Sequence, residues 1–371
     1  MKIKTITCHE VYNHGASLQE YALLKYLQEL GHDVETISYK PDYLGGHFDF
    51  LKVSNDKYAK NILLKIAYLA VKFPTRLKNL KRKRSFDAFS MKYIKSTEKT
   101  YYSNQELLND VPVADTYICG SDQIWNSFFQ NGKDPAFYLD FVPDSKRKIS
   151  YAASFAIEKL APELTDFVKE KVSRLDSISV RESSGVDILK SLGFHDVTQV
   201  LDPVFLLDKN VWNDLMETPE NKRSYVFIYD FDSNPLIKDM AFNLKDKFGY
   251  DIITVNENIT YADKNYFLDG PSKFLTLVKN AEFVISNSFH AVAFSILFEK
   301  KFVVFNRMYK INTRMRDLLK SIDLPELLIE SEEQMKKFDN SLVDYTKSKV
   351  KLNGLIEKSK HFLTHALADK N

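Results

Sequence analysis

The sequence predicts an α/β protein built from two successive open parallel-sheet domains that face a crevice, with a helical insertion in the first domain and a helical tail. Three observations predict this. Short β-rich runs alternate with helical patterns along most of the 371 residues, the alternation starts twice, and one lysine-rich stretch interrupts it. With 44% hydrophobic residues there is ample apolar material for two cores.

The first series opens with the strand IKTITC (3–8), a helix SLQEYALLKYLQEL (17–30) with apolar residues three and four apart, a stop at Gly31 and the strand VETISY. Strand, helix, strand implies a parallel sheet. The pattern lapses from Pro41 to Asp110, where lysine-rich helical segments dominate, and resumes with TYICG (116–120). KISYAAS, a helix around PELTDFVKEKVSRL, the strand SISV and a helix ending at Gly193 follow, and LDPVFLLD (201–208) closes the domain.

The second series runs SYVFIYDF (224–231), a helix to Gly249, DIITV, the helix SKFLTLVKNA, EFVIS, the helix AVAFSILFE and KFVVFN. After Pro325 the chain reads as polar and helical without strands, and the sequence leaves open whether this tail crosses back over the first domain. The predicted division is therefore 1–208, with an insertion at about 41–110, then 209–345 and a C-terminal helix at 346–371.

Charge excludes some partners. Lys and Arg number 52 against 50 Asp and Glu, so no overall field draws the chain to nucleic acid, and any electrostatic preference is local. The first residues lack the apolar core of a signal peptide, and no later run approaches the roughly 20 apolar residues that cross a bilayer, which predicts a cytoplasmic protein. Cys8 and Cys119 have no CxxC partner and read as reduced core thiols; no metal site is expected.

The informative polar residues sit where strands stop and helices begin, because ligands of open sheets bind beyond the carboxyl ends of strands and helix N-termini favour anions there. In NHGASLQ (13–19), Gly15 permits close backbone approach and Ser17 is placed to cap a helix; a plain capped loop explains them equally. In ICGSDQIWN (118–126), an N-cap and a buried tryptophan explain Gly120, Ser121 and Trp125 but leave Asp122 and Gln123 over. In ISVRESSG, Arg181 directly follows a strand, where a guanidinium serves either a surface ion pair or bidentate recognition of a carboxylate or phosphate.

ISNSFHAVAFS (285–295) places His290 after Asn287 and Ser288 at a strand-to-helix junction. A satisfied core histidine is the plain reading, and acid–base work in a crevice is the other. INTRMRDLL (311–319) carries Arg314 and Arg316, of which one is expected to face inward.

Taken in order, NHGASLQEYAL, the strand before GSDQIWN, YAASF, SVRESSG with a following LG, LDPVFLL, SFHAVAFS and NTRMRDLL resemble the polysaccharide pyruvyl transferases. The resemblance spans residues 1 to about 320. It implies two Rossmann-like domains arranged as in GT-B glycosyltransferases, with phosphoenolpyruvate as co-substrate and no required cofactor. The implied reaction moves the pyruvyl group onto two hydroxyls of a galactose-like sugar in a cell-surface polysaccharide or its lipid-linked precursor, forming a cyclic ketal and releasing phosphate. It implies that Arg181 and His290 belong to the donor site. The residue types beside them suggest His290 and Asp122 for catalysis, and Arg181, Asn287, Ser288, Arg314 and Arg316 for the carboxylate and phosphate of the donor. Gly15, Ser17, Ser121, Gln123 and Trp125 are expected on the acceptor side.

One position departs from the family pattern: many members carry an arginine two residues before the histidine, where this chain has Ser288. That leaves the donor clamp to Arg314 or Arg316. Two other readings stay open, a glycosyltransferase using a nucleotide sugar and a non-catalytic glycan-binding protein, since the same architecture serves both.

Residues 61–84 join an apolar helical half to a run with seven Lys or Arg from Lys72 to Arg84. Such a segment suits an anionic membrane surface, expected here as a partner at the inner face of the membrane, or else it packs on the sheet with a solvated basic end.

Overall fold

The computed structural model describes residues 1–45, 53, 58, 61–307, 313–338, 343 and 345–368. Parts of the predicted insertion (46–52, 54–57 and 59–60) and the first two residues of INTRMRDLL (311–312) lie outside the described residues.

The first series forms β1 (Lys2–Ile6), α1 (His14–Glu29), β2 (Asp33–Tyr39), α2 (Ile62–Tyr93), β3 (Ser96–Tyr101), β4 (Thr116–Cys119), β5 (Arg147–Ala153), α3 (Thr165–Val172), β6 (Ser177–Val180), α4 (Ser183–Ser191) and β7 (Val197–Gln199). The second forms β8 (Tyr225–Tyr229), α5 (Pro235–Phe248), β9 (Asp251–Thr254), β10 (Lys264–Asn265), α6 (Pro271–Asn280), β11 (Phe283–Ser286), α7 (Phe289–Leu297), β12 (Phe302–Phe305), α8 (Thr313–Ser321), β13 (Leu328–Ile329) and α9 (Tyr345–Leu367).

Two sheets result, ordered β3-β2-β1-β4-β5-β6-β7 and β10-β9-β8-β11-β12-β13, with every pairing parallel. TYIC in β4 and YVFIY in β8 are buried at every position, as strands covered on both faces require, and so they read as unbroken apolar runs. The winding direction reverses between β1 and β4 and again between β8 and β11. Loops leaving adjacent strands diverge at such a point and open a crevice. The segments around Gly15, Asp122 and His290 all follow strands at these two reversals.

The domains share an apolar seam in which α1 packs on α6 and α7. His14 stacks on Phe274 with ring centroids 5.1 Å apart, and Trp212 stands edge-on between Tyr21 (5.8 Å) and Phe294 (4.9 Å). The long helix α2 straps both halves together: Arg82 donates to the Tyr12 carbonyl at 3.1 Å and to the Phe267 carbonyl, and Ser85 Oγ donates to the Leu268 carbonyl at 2.6 Å. The tail does cross back, because Ser359 Oγ of α9 accepts the Leu201 N–H at 2.9 Å and Arg147 donates to the Leu367 carbonyl at 2.7 Å.

Two expectations are corrected. The stretch 41–110 contains the strand β3, and a strand, β13, follows Pro325. Both are edge strands, and β3 (STEKTY) is mostly solvent-facing, so neither carries the apolar run by which interior strands are recognised. Cys8 and Cys119 are free and buried, and burial pushes both thiols above the ordinary range. Among the described residues no helix is long and apolar enough to cross a membrane.

Candidate active site

His290 stands in the first turn of α7, and the residues before it fix that turn. Asn287 donates to Asp230 Oδ1 at 2.6 Å and accepts the Phe231 N–H at 3.0 Å, tying the end of β11 to the loop after β8. Ser288 is the N-cap residue, with its N–H on Ser286 Oγ at 2.9 Å. Asn287 is thus buried and engaged with its own domain.

The imidazole of His290 is seated by the other domain. A Cβ at Gly15 would stand 2.0 Å from its Nδ1 and 2.3 Å from its Cγ, so only glycine leaves room for the ring. Gly15 does permit a close approach, but of His290. Opposite, Nε2 lies 3.5 Å from Asp202 Oδ2. A histidine from the second domain is therefore held between α1 and the segment that follows β7.

Asp202 was not anticipated as a site residue. It is fully buried, accepts the Val204 N–H at 3.1 Å, pairs with Arg181, and stands 3.3 Å from Ser121 Oγ. Burial raises its pKa, but His290 and Arg181 outweigh this and hold the carboxyl well below the usual range. The available signal was an acid just beyond a strand, in the segment assigned to the domain boundary.

Arg181 sits in the crevice as the sequence suggested, buried, with its guanidinium 4.5 Å from the centroid of Phe289 and Nη2 3.5 Å from Asp122 Oδ1. Of the pair in α8, Arg314 faces inward. Its guanidinium lies 5.7 Å from the same ring and 3.8 Å from Asp122 Oδ1, beyond hydrogen-bond reach. The Nε atoms of Arg181 and Arg314 are buried without a partner among the described residues. Burial and the neighbouring Arg181 push Arg314 down to about 10, which still leaves it charged at neutral pH. Arg316 points outward to Glu158 at 3.0 Å.

Behind the arginines, Glu182 is buried, accepts the Ala156 N–H at 2.8 Å, and has its pKa raised chiefly by burial. Its Oε2 has no partner among the described residues.

Several expected acceptor-side residues are structural. Trp125 is fully buried, stacked on Tyr138 at 5.3 Å with its indole N–H on the Phe137 carbonyl at 3.0 Å, which leaves no face for a sugar. Ser121 is sealed beneath the site, donating to the Ala152 carbonyl at 2.8 Å. Ser17 lies buried within α1 rather than capping it; Asn13 is the cap, accepting the Gly15 and Ala16 N–H groups at 3.0 and 3.3 Å. Gln123 is half-buried and accepts from Asn126 at 2.8 Å. Asp122 alone of that segment presents a partly exposed polar group to the arginines.

A cleft of about 480 Å³ opens between the domains next to this cluster, lined by Phe128, Glu158 and Lys159 on one side and Asn306, Thr313 and Arg316 on the other. Among the described residues no group of three His, Cys, Asp or Glu side chains is placed to hold a metal ion.

Two parallel-sheet α/β domains thus close on a buried histidine and two buried arginines. The family model "Polysaccharide pyruvyl transferase" matches residues 13–307, and the chain belongs to that family. No curated protein matches the chain. Among solved structures it is similar to the UDP-GlcNAc 2-epimerase of Neisseria meningitidis bound to UDP-GlcNAc, at 11% identity and TM-score 0.49, covering 100% of this chain and 95% of that one. It is also similar to the UDP-GlcNAc 2-epimerase of Methanocaldococcus jannaschii in complex with UDP-GlcNAc and UDP (12%, TM-score 0.47, 98% and 100% covered). A third is UGT89C1 of Arabidopsis thaliana complexed with UDP-L-rhamnose (9%, TM-score 0.47, 97% and 94% covered).

Proposed function

We propose that the protein transfers the pyruvyl group of phosphoenolpyruvate to two hydroxyls of a galactose-like sugar and releases phosphate. The observation that carries the reading is a pair of buried guanidinium groups turned to one partly exposed carboxylate: Arg181, which also pairs with Asp202, and Arg314 lie 3.5 and 3.8 Å from Asp122 Oδ1, and the Nε of each is buried without a partner among the described residues. Unpaired buried donors are costly, and a ligand bearing a carboxylate and a phosphate satisfies them. With serine at position 288, Arg314 takes over the clamp, and the N-terminus of α7 adds its N–H groups.

The chemistry needs one proton delivered to the methylene carbon of the enol, which becomes the methyl group, and one removed from the attacking hydroxyl. His290 performs one of these transfers, worth about 10²–10⁴-fold in rate. Asp122 is the second group, as base or as a hydrogen-bond acceptor for sugar hydroxyls. Attack of the first hydroxyl on the central carbon gives an adduct that expels phosphate, and the second hydroxyl closes the ketal with loss of its proton. The sugar enters by the cleft beside Arg316, where the exposed ring of Phe128 offers a stacking face. A lipid-linked acceptor at the cytoplasmic face of the membrane belongs to the same reading.

Calorimetry separates this from a nucleotide-sugar donor. Phosphoenolpyruvate is expected to bind, and to bind at least tenfold more weakly to Arg314→Leu. Binding of a nucleotide sugar with none of phosphoenolpyruvate refutes the reading.

A further inference from the structure

The cleft beside the candidate active site carries polar groups that the protein itself leaves unsatisfied. Thr313, in the first turn of α8, is 3% exposed, and its hydroxyl has no hydrogen-bond partner among the described residues, although the residue lines the cleft. Asn306, just beyond β12, lines the same wall; its amide nitrogen donates to Glu330 Oε1 at 2.8 Å, but its Oδ1 is a second buried atom without a partner among those residues. Buried polar atoms are nearly always paired, so two orphans on one wall point to a ligand that supplies their partners.

The opposite wall offers an aromatic face. Phe128 is 67% exposed, and its turn is fixed by the fully buried Asn126, whose Oδ1 accepts the Phe128 N–H at 3.0 Å and whose carbonyl accepts the Phe129 N–H at 3.0 Å. A ring held out of the core at the mouth of a cleft serves as a platform for the apolar face of a sugar.

Charge narrows the ligand class. Among the described lining residues, Lys159 and Arg316 balance Glu158 and Glu330, and Arg316 already pairs with Glu158 at 3.0 Å. No net positive field remains there for a diphosphate, whereas hydroxyls, which both donate and accept, suit mixed donors and acceptors. The volume of about 480 Å³ lies within the roughly 300–1,000 Å³ of sites that bury a drug-sized ligand, a size that a disaccharide unit matches. The cleft also continues from the reacting cluster: Thr313 directly precedes Arg314, and Phe128 lies in the same segment between β4 and β5 as Asp122.

We propose that this cleft is a subsite for the sugar residue next to the one that receives the pyruvyl group, so that the acceptor is an oligosaccharide and not a single sugar. The proposal rests on the pyruvyl reading for the reaction, but the class of ligand, an uncharged sugar ring, is argued from the cleft alone.

The test compares methyl galactoside with lactose and galactobiose in the wild type, Thr313→Val and Phe128→Ala, by kcat/KM for phosphate release and by calorimetry. The wild type is expected to favour the better disaccharide about tenfold or more in both measures, and each variant to reduce that preference to about threefold or less. Thr313→Val removes a hydroxyl that bonds to nothing in the free protein, so its unfolding temperature is expected not to fall; a fall would mark the hydroxyl as structural and overturn its role in the subsite. Equal handling of single-ring and two-ring acceptors by the wild type, or a preference that both variants retain, overturns the proposal. Disaccharide binding with the expected preference but without phosphate release sustains the subsite and counts against the pyruvyl reading, and release without preference does the reverse.

Discussion

Gly15→Ala is the substitution that addresses the seat of His290 most directly. The new methyl would lie 2.0 Å from Nδ1, 2.3 Å from Cγ and 2.8 Å from Cβ of the histidine, against about 3.4 Å at which ordinary contact begins. The ring must therefore give way by more than 1 Å. It has little room to do so, with Asp202 Oδ2 3.5 Å from Nε2 and only 8% of the side chain exposed. Displacing a proton-transfer group by about 1 Å costs on the order of 100-fold in rate. Arg181 and Arg314 are untouched by the change, so kcat falls about 100-fold while KM for the donor moves less than threefold. The assay is release of phosphate from phosphoenolpyruvate with a galactoside acceptor, alongside thermal unfolding. An intact fold with kcat within threefold of the wild type refutes the claim that Gly15 positions the histidine. A loss confined to KM refutes it equally.

Three further outcomes concern stability. Asp202→Asn leaves the buried Arg181 without its nearest counter-charge and is expected to destabilise by about 3–5 kcal/mol in urea unfolding; a change below about 1 kcal/mol contradicts a buried pair. His14 is fully buried beside Arg82, and burial holds its pKa well below the ordinary value, so the folded state resists a proton that the unfolded chain accepts below about pH 6.5. Stability from this residue is thus present above pH 6.5 and falls by about 1.4 kcal/mol per pH unit below it, a slope expected to vanish in His14→Phe; parallel pH curves for the two proteins contradict it. His9 does not mimic this slope, because its pKa is raised, against the burial that lowers it, by Glu20, and its contribution is lost instead as pH rises through that higher value. Gly354→Ala, on an exposed turn of α9 where the added methyl meets nothing within 4 Å, is expected to stabilise by about 0.5–1 kcal/mol in thermal unfolding.

The interior of the fold was legible because interior strands of a parallel sheet are covered on both faces and so are rich in apolar and β-branched residues. SISV was placed at its observed bounds, and YVFIY, FVIS and FVVF fell within the predicted runs. The edges were not. STEKTY pairs on one side only and keeps its polar residues in water, so its strand character lies in backbone hydrogen bonds that leave no apolar period. For the site, the rule that ligands gather beyond strand ends singled out Arg181, Asp122, His290 and Arg314, since each follows a strand or opens a helix, and the structure brings these four together around Asp202 and Phe289. It could not tell which neighbours turn inward. Trp125 and Ser121 share a segment with Asp122 but face the core, and the side on which a residue faces is set by the packing of Tyr138 and Ala152 upon them. Asp202 was missed for a related reason: its partners Arg181 and His290 lie 21 and 88 positions away, and only tertiary structure brings the three together.

The central claim is that the Arg181, Arg314 and His290 crevice turns over phosphoenolpyruvate. Its most direct test is phosphate release on incubation with lipid-linked or synthetic galactosides, comparing the wild type with His290→Ala and Arg181→Ala. Acceptor-dependent release by the wild type, reduced at least 100-fold in both variants, is the predicted result. No release with any acceptor, or release that both folded variants retain, contradicts it.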